Sequence, residues 1–407
     1  MKHLRSTYVV LLLAGLGHQA VGQDYVPRLP DGVGVATVGY AVIDSGTDQY
    51  NNSGNARNKV GVTGFGPLLQ AAFNLQSGLA FGVPTAPAMD FNAMKLRTRG
   101  EVYGAAYTHG VSEDVTVSGR FRMGNMRTDI RHTDDPAFAQ VQTALAASGF
   151  EGADDAHMND RLISADIEAA FWLDDEYLND DTKHESAIIV GYSHRGSWRT
   201  GGHNLVEFAL SDLARMNRPD FLRFGFQGKL IDDYDGVDFT YGAQLNYHMS
   251  GSTREVNPAI VLSNAANASG LIPIVPSKTP IEGVDSVSHY GYTFNLAASM
   301  PLDEERATRV GIGFWMDYEA GYSLHGVGFS NSPIGLDSQR NTKRQAQSRG
   351  YVRLNFTHST IQAFQDGFAD LPYVLSLQID DSIYGRNQSE LQIATLRFSV
   401  PLTRANS

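Results

Sequence analysis

Cysteine is absent from the chain. That excludes a disulfide scaffold and any metal site built on thiolates. Long apolar runs are also lacking. The stretch from Tyr8 to Leu16 is too short to cross a bilayer as a helix, and nothing after it is long enough either. A basic excess is missing as well. Lys and Arg number 32 against 44 Asp and Glu, a net charge of −12, which argues against a nucleic-acid partner. No Pro- or Ser-rich linker or charge run marks a boundary, so a single domain is expected although the length would permit two.

Residues 1–22 read as a secretory signal. Lys2 and Arg5 form a basic start, Tyr8 to Leu16 an apolar core, and Ala20-Val21-Gly22 a small-residue cleavage site. The mature domain is expected to cover 23–407.

What is present is alternation. From Val310 to Leu324, Val310, Ile312, Phe314, Met316, Tyr318, Ala320, Tyr322 and Leu324 alternate with Gly311, Gly313, Trp315, Asp317, Glu319, Gly321 and Ser323. That run is longer than an ordinary globular strand, with one apolar face and one charged face. A strand between lipid and a watery lumen needs this pattern. It recurs at 237–250, 290–302 and 394–402, and more weakly at 33–43, 95–110, 115–128, 160–173, 185–199, 220–231, 346–362 and 371–384.

Short and long connections take turns. Short turns fall at Ser112-Glu113-Asp114, around Asp180 and Asp181, at 232–236, at Asp303-Glu304-Glu305 and at Gln365-Asp366-Gly367. Long ones fall at about 44–94, 129–159, 200–218, 251–283 and 325–344, with a tight turn at 385–389 where another long one could stand. The expected fold class is all-β. It is a single antiparallel transmembrane β-barrel of about 12 strands, with 10 to 14 as the range and long extracellular loops containing short helices. An even count and both termini on the short-turn side agree with bacterial outer-membrane barrels. Residues 66–83 could hold an extra strand.

The polar faces name the candidate lumen residues: Arg97, Arg99, Glu101, Arg120, Arg122, Asp166, Glu168, Arg195, Arg223, Lys229, Asp238, Arg309, Asp317, Glu319, Arg353, Asp380 and Arg397. Charges there tune selectivity. They could equally form cross-strand ion pairs that fill a barrel of this intermediate size. Trp198, Tyr247, Tyr290, Tyr292, Tyr318 and Tyr322 are the candidates for an aromatic girdle near the long-loop end.

The long connections are apolar for loops, notably 66–83, 136–150, 205–216 and 258–275. Such surface needs a partner: a lid over the barrel mouth, or an entry site for a hydrophobic solute.

Enzyme chemistry finds little support. His194 and Ser197 fall on opposite faces of a strand, as do His358 and Ser359. Asp129, His132, Asp134, Asp135, Asp154, Asp155, His157 and Asp160 could bind calcium or bridge lipopolysaccharide, but carboxylates at no fixed spacing are more simply solvated. No catalytic residue, metal site or cofactor is assigned from the sequence.

Leu29-Pro30-Asp31-Gly32-Val33-Gly34-Val35-Ala36-Thr37-Val38-Gly39-Tyr40 and the run from Tyr107 to Gly119 resemble the opening segments of the meta-pathway phenol degradation family of outer-membrane proteins. In that family a Tyr-Gly-Val-Thr-Asp-x-Leu-Thr-Leu-Gly hairpin follows the first long loop; here His109 interrupts the pattern. The resemblance implies a barrel associated with uptake of aromatic or other hydrophobic compounds, and it supplies no catalytic residues. The expected function is an outer-membrane channel of a Gram-negative bacterium for passive uptake of small solutes, hydrophobic or aromatic, with outer-membrane lipid and lipopolysaccharide as further partners. The alternatives are a structural or adhesive barrel with a filled lumen, and an outer-membrane lipid hydrolase.

Overall fold

The computed structural model describes residues 25–45, 49–50, 56–57, 95–131, 157–173, 175–177, 182–199, 220–232, 236–256, 281–286, 288–321, 323–326, 342–343, 346–386 and 388–403. Residues 1–22, where a secretory signal is expected, and the apolar connections named above lie outside these residues.

Twelve long strands make the wall. They are β1 (Val33–Asp44), β2 (Lys95–Ser112), β3 (Val115–Arg131), β4 (His157–Trp172), β5 (Thr182–Arg199) and β6 (Phe221–Asp232). The second half holds β7 (Asp238–His248), β8 (His289–Pro301), β9 (Thr308–Glu319), β10 (Gln347–Ser359), β11 (Val374–Arg386) and β12 (Gln392–Thr403). Each pairs antiparallel with its chain neighbours, and β1 pairs with β12 from Val33↔Thr403 to Asp44↔Gln392, which closes the barrel. A closed barrel leaves no wall edge to template aggregation.

The two faces separate cleanly. Val38, Phe121, Ile167, Ile188, Phe226, Leu245, Leu296, Ile312, Leu354 and Leu396 stand exposed on the outside. Their chain neighbours Thr37, Arg120, Asp166, Gln227, Gln244, Asn355 and Thr395 point inward. Large apolar side chains outside and polar ones inside is the inverse of a water-soluble protein, and it is the arrangement a bilayer-spanning barrel requires.

The structure redraws several details. The fifteen-residue alternation is interrupted: β9 ends at Glu319, and Ser323–Gly326 is a separate strand. Together with Gly251–Val256, Ile281–Ser286 and Thr342–Lys343 it forms a four-stranded sheet at the long-connection end. At the opposite end the link between β10 and β11 holds the only α-helix among the described residues, α1 (Ile361–Gln365), and turns through Gly367 at φ 79°. A tight turn was expected there. A buried Ile361 on the lumen floor explains the extra length.

Inside the short-turn end lies a segment that no alternation announces. Residues 25–30 run from β1 back into the barrel. Leu29 is fully buried against Val33, Val35, Ile361 and Val374. Val26 packs with Ala170, Trp172, Ala187 and Ile189, joined by Tyr25. Burying Val26 and Leu29 contributes about 2 kcal/mol each. The inward face at this end is therefore apolar in patches, where a polar lining was expected, because the chain's own N-terminal segment covers it.

Candidate functional site

The lumen is the candidate site, and its charges are organised into clusters. On β3 to β6, Glu168 takes ion pairs from both Arg120 and Arg223, while Asp166 faces Arg122 at 3.7 Å and accepts a hydrogen bond from Ser193. Glu168 and Asp166 are both buried. A buried carboxylate needs such partners to remain charged. On β6, β7 and β9, Asp238 receives Arg309 at 2.5 Å and Lys229 at 3.6 Å. On β10 to β12, Arg353 meets Asp380 at 2.6 Å, Gln378 donates to the same carboxylate, and Arg397 donates to Gln378 at 3.0 Å. Asp317 and Arg349 are register partners on β9 and β10. Glu319 accepts from His289 at 2.9 Å.

Three lumen candidates stand elsewhere. Arg97, Arg99 and Glu101 lie on the outer face of β2, where Arg97 bonds Asp44 at 2.7 Å and Glu101 accepts from Tyr103 at 3.1 Å. The inward positions of this strand are Val102, Gly104, Ala106 and Thr108, which line the lumen. With small residues on both faces, the alternation of β2 is too weak to tell inside from outside. Arg195 sits opposite Ser164 in register; its side chain lies outside the described residues.

Of the aromatic candidates, Tyr290 and Tyr292 are exposed on the outer face; Tyr290 is tilted against Tyr247 with ring centroids 5.5 Å apart, and Tyr292 is stacked on Tyr318 at 4.7 Å. Tyr40 and Tyr103 form a further outward pair at 5.1 Å. Tyr322 and the side chain of Trp198 lie outside the described residues. The half-buried His358 on β10 has a hydroxyl within reach, Thr308 Oγ1 at 3.2 Å, on the outer face at the short-turn end.

The N-terminal segment crosses the lumen. Gln227 on β6 accepts from the Val26 amide at 3.0 Å and donates to the Val26 carbonyl at 2.6 Å. Thr116 accepts from Leu29 N at 3.2 Å. Arg28 reaches Asp175 at 2.5 Å and Asp114 at 3.3 Å, with its guanidinium over the Trp172 ring. Tyr25 reaches the far wall, beside Thr240, Asn295, Ala297, Gly313 and Arg353. Burial, with Glu185 and Asp238 adding negative charge nearby, pushes the Tyr25 hydroxyl well above its ordinary value of 10.0.

Between this segment and β1, β2, β3, β11 and β12 lies a cavity of about 160 Å³. Its wall is small where Gly39 pairs with Gly104 and where Ala41 and Ala106 point inward. Arg120, Arg122 and Arg397 stand on its polar side.

No protein-family model matches the chain, and no curated protein matches it. Three solved structures are similar in fold. An outer-membrane channel of the COG4313 group from Pseudomonas putida F1 is 10% identical, covers 94% of this chain and 99% of its own, and has a TM-score of 0.47. The translocator domain of the autotransporter NalP from Neisseria meningitidis is 8% identical, with coverages of 98% and 95% and a TM-score of 0.41. A FadL homologue from Pseudomonas aeruginosa is 11% identical, with coverages of 95% and 96% and a TM-score of 0.36.

Sequence reasoning missed Tyr25, Val26, Leu29 and Gln227. The sequence carries one signal: Ala187-Ile188-Ile189-Val190 is continuously apolar, which marks a strand covered on both faces. Tyr25-Val26-Pro27-Arg28-Leu29-Pro30, just before β1, is the matching apolar partner.

Proposed function

We propose that this protein is an outer-membrane channel for passive passage of small solutes, hydrophobic or aromatic in body. The observation that carries the reading is the lumen cavity. At about 160 Å³ it is comparable to a cavity of roughly 150 Å³ known to accept benzene. Its small apolar wall suits a ring, and the guanidinium groups opposite suit a polar or anionic end. The secretory start, the even strand number and the outward aromatic pairs support placement in a Gram-negative outer membrane. Resemblance of the first third to the phenol degradation family agrees with the solute class.

The test is flux into proteoliposomes holding the refolded protein, comparing a monoaromatic acid, a monoaromatic hydrocarbon and a disaccharide. Faster entry of the aromatics than the disaccharide supports the reading. Flux of both aromatics no faster than in protein-free liposomes overturns it.

A second reading, a barrel with a filled lumen and a structural role, is favoured by one observation: residues 25–30 and the paired charges together occupy much of the interior. Absence of steady single-channel current, both in the intact protein and after removal of residues 25–30, would support that reading.

A further inference from the structure

We propose that His248, His289 and Glu319 form a binding site for a divalent transition metal of the Zn²⁺ class at the outer mouth of the lumen. His248 closes β7, His289 opens β8 and Glu319 closes β9, so the three come from the long-connection end of three consecutive hydrogen-bonded strands. His248 and His289 are direct register partners, and Glu319 pairs with Gly291, one inward position further along β8. All three side chains are buried in the lumen face. One ligand atom from each lies within 4.8 Å of the other two. His289 Nε2 and Glu319 Oε1 are already 2.9 Å apart. Ions of this class hold N and O ligands at about 2.0–2.2 Å, so their ligand atoms stand about 3–4 Å from one another. The set therefore needs only a small contraction.

Three features separate it from a polar ladder that merely fills space. The donors are two imidazoles and a carboxylate, the combination that borderline metals take. Gly291 lies between them: a Cβ there would stand 2.6 Å from the Tyr318 carbonyl oxygen and 3.1 Å from His248 Nε2, so the glycine that lets the strands close also leaves the ring room to lean toward Glu319. The backbone positions are fixed by the sheet, and strands hold ligands more exactly than loops do. The imidazole rings stack in parallel, 4.5 Å apart at 4°. Two protonated rings so close would repel, whereas one divalent ion shared between neutral rings and the carboxylate satisfies all three. On binding, the ion takes the place of the proton between His289 Nε2 and Glu319, that proton passing through solvent to His289 Nδ1 so that the ring stays neutral, and each ring turns about its Cβ–Cγ bond to aim its lone pair. Phe221 flanks His248 at 5.1 Å and shields one side of the site. Three protein ligands leave the remaining coordination positions open to the lumen, where water or a solute donor can enter.

The test uses the refolded full chain in detergent. Co²⁺ titration reports nitrogen ligation through visible absorption bands, and calorimetry with Zn²⁺ reports affinity. Bands in the wild type that are lost in His248→Ala, with Zn²⁺ affinity down about tenfold or more in His248→Ala and Glu319→Gln, support the site. If His248→Ala does not fold, judged by electrophoretic heat-modifiability, His248→Gln takes its place. Equal bands and affinity in wild type and both variants would assign binding to the acidic connections and overturn the proposal. So would a wild type that binds neither ion.

Discussion

Gln227 clasps Val26 with both ends of its side-chain amide, accepting at 3.0 Å and donating at 2.6 Å across 201 residues of chain. The contact copies one rung of a β-ladder. A wall strand thereby holds a segment that belongs to no strand, in a lumen whose apolar patches need that cover.

Loss of the clasp should loosen the segment. Each hydrogen bond contributes about 1 kcal/mol, so Gln227→Leu should weaken seating by about 2 kcal/mol, close to 30-fold in population. The chain lacks cysteine, so Val26→Cys gives a single reporter thiol. It should react with a soluble maleimide far more slowly alone than combined with Gln227→Leu. Equal rates would mean that the clasp does not hold the segment.

Glu168 is the next place to press. It is 2% exposed and serves both Arg120 and Arg223. Glu168→Gln keeps the shape but leaves two guanidinium groups without their shared carboxylate. Breaking a buried pair in this way costs about 3–5 kcal/mol. The barrel should unfold at lower temperature or denaturant concentration, and reversal potentials in a salt gradient should shift toward anions. A variant as stable as the wild type would show that water, not Glu168, balances these charges.

Alkali should release the segment. Tyr25 is held neutral by burial and by Glu185 and Asp238, with its hydroxyl raised above the ordinary 10.0. A raised group gives seating energy that is fully present below its free value and fades as pH climbs from there toward the seated value. In Val26→Cys, maleimide reactivity corrected for the intrinsic pH dependence of the thiol should rise above pH of about 10. In Tyr25→Phe that rise should vanish. The same rise in Tyr25→Phe would place the cause elsewhere.

The faces can be told apart by one charge. Ile312 is 59% exposed on the outside of β9, and Ala41 points into the cavity. Ile312→Arg should cost about 2–4 kcal/mol if that position lies at the bilayer midplane, and should impair folding into liposomes. Ala41→Arg should fold and narrow the lumen, seen as reduced solute flux. The reverse result would turn the barrel inside out.

Much of the wall was legible in the sequence because side-chain period two is written directly in residue order, as in Tyr290 to Leu302. Legibility failed where that signal was thin or where contacts were distant. On β2, Gly104, Ala105 and Ala106 give both faces similar character, so Arg97, Arg99 and Glu101 were assigned inward. The clasp between Val26 and Gln227 leaves no local trace, since neither residue constrains its chain neighbours. The cluster of His248, His289 and Glu319 depends on register between three strands, and register is set by pairing, not by composition.

The seam between β1 and β12 joins the two ends of the chain, whereas neighbouring wall strands elsewhere are joined in sequence. Closing it pays the largest loop entropy of any strand pair in the wall, so it is the natural last step of assembly. The segment that occupies the lumen is the direct continuation of that same strand. Insertion and lining are thus yoked: the step that completes the wall also seats residues 25–30 in its interior.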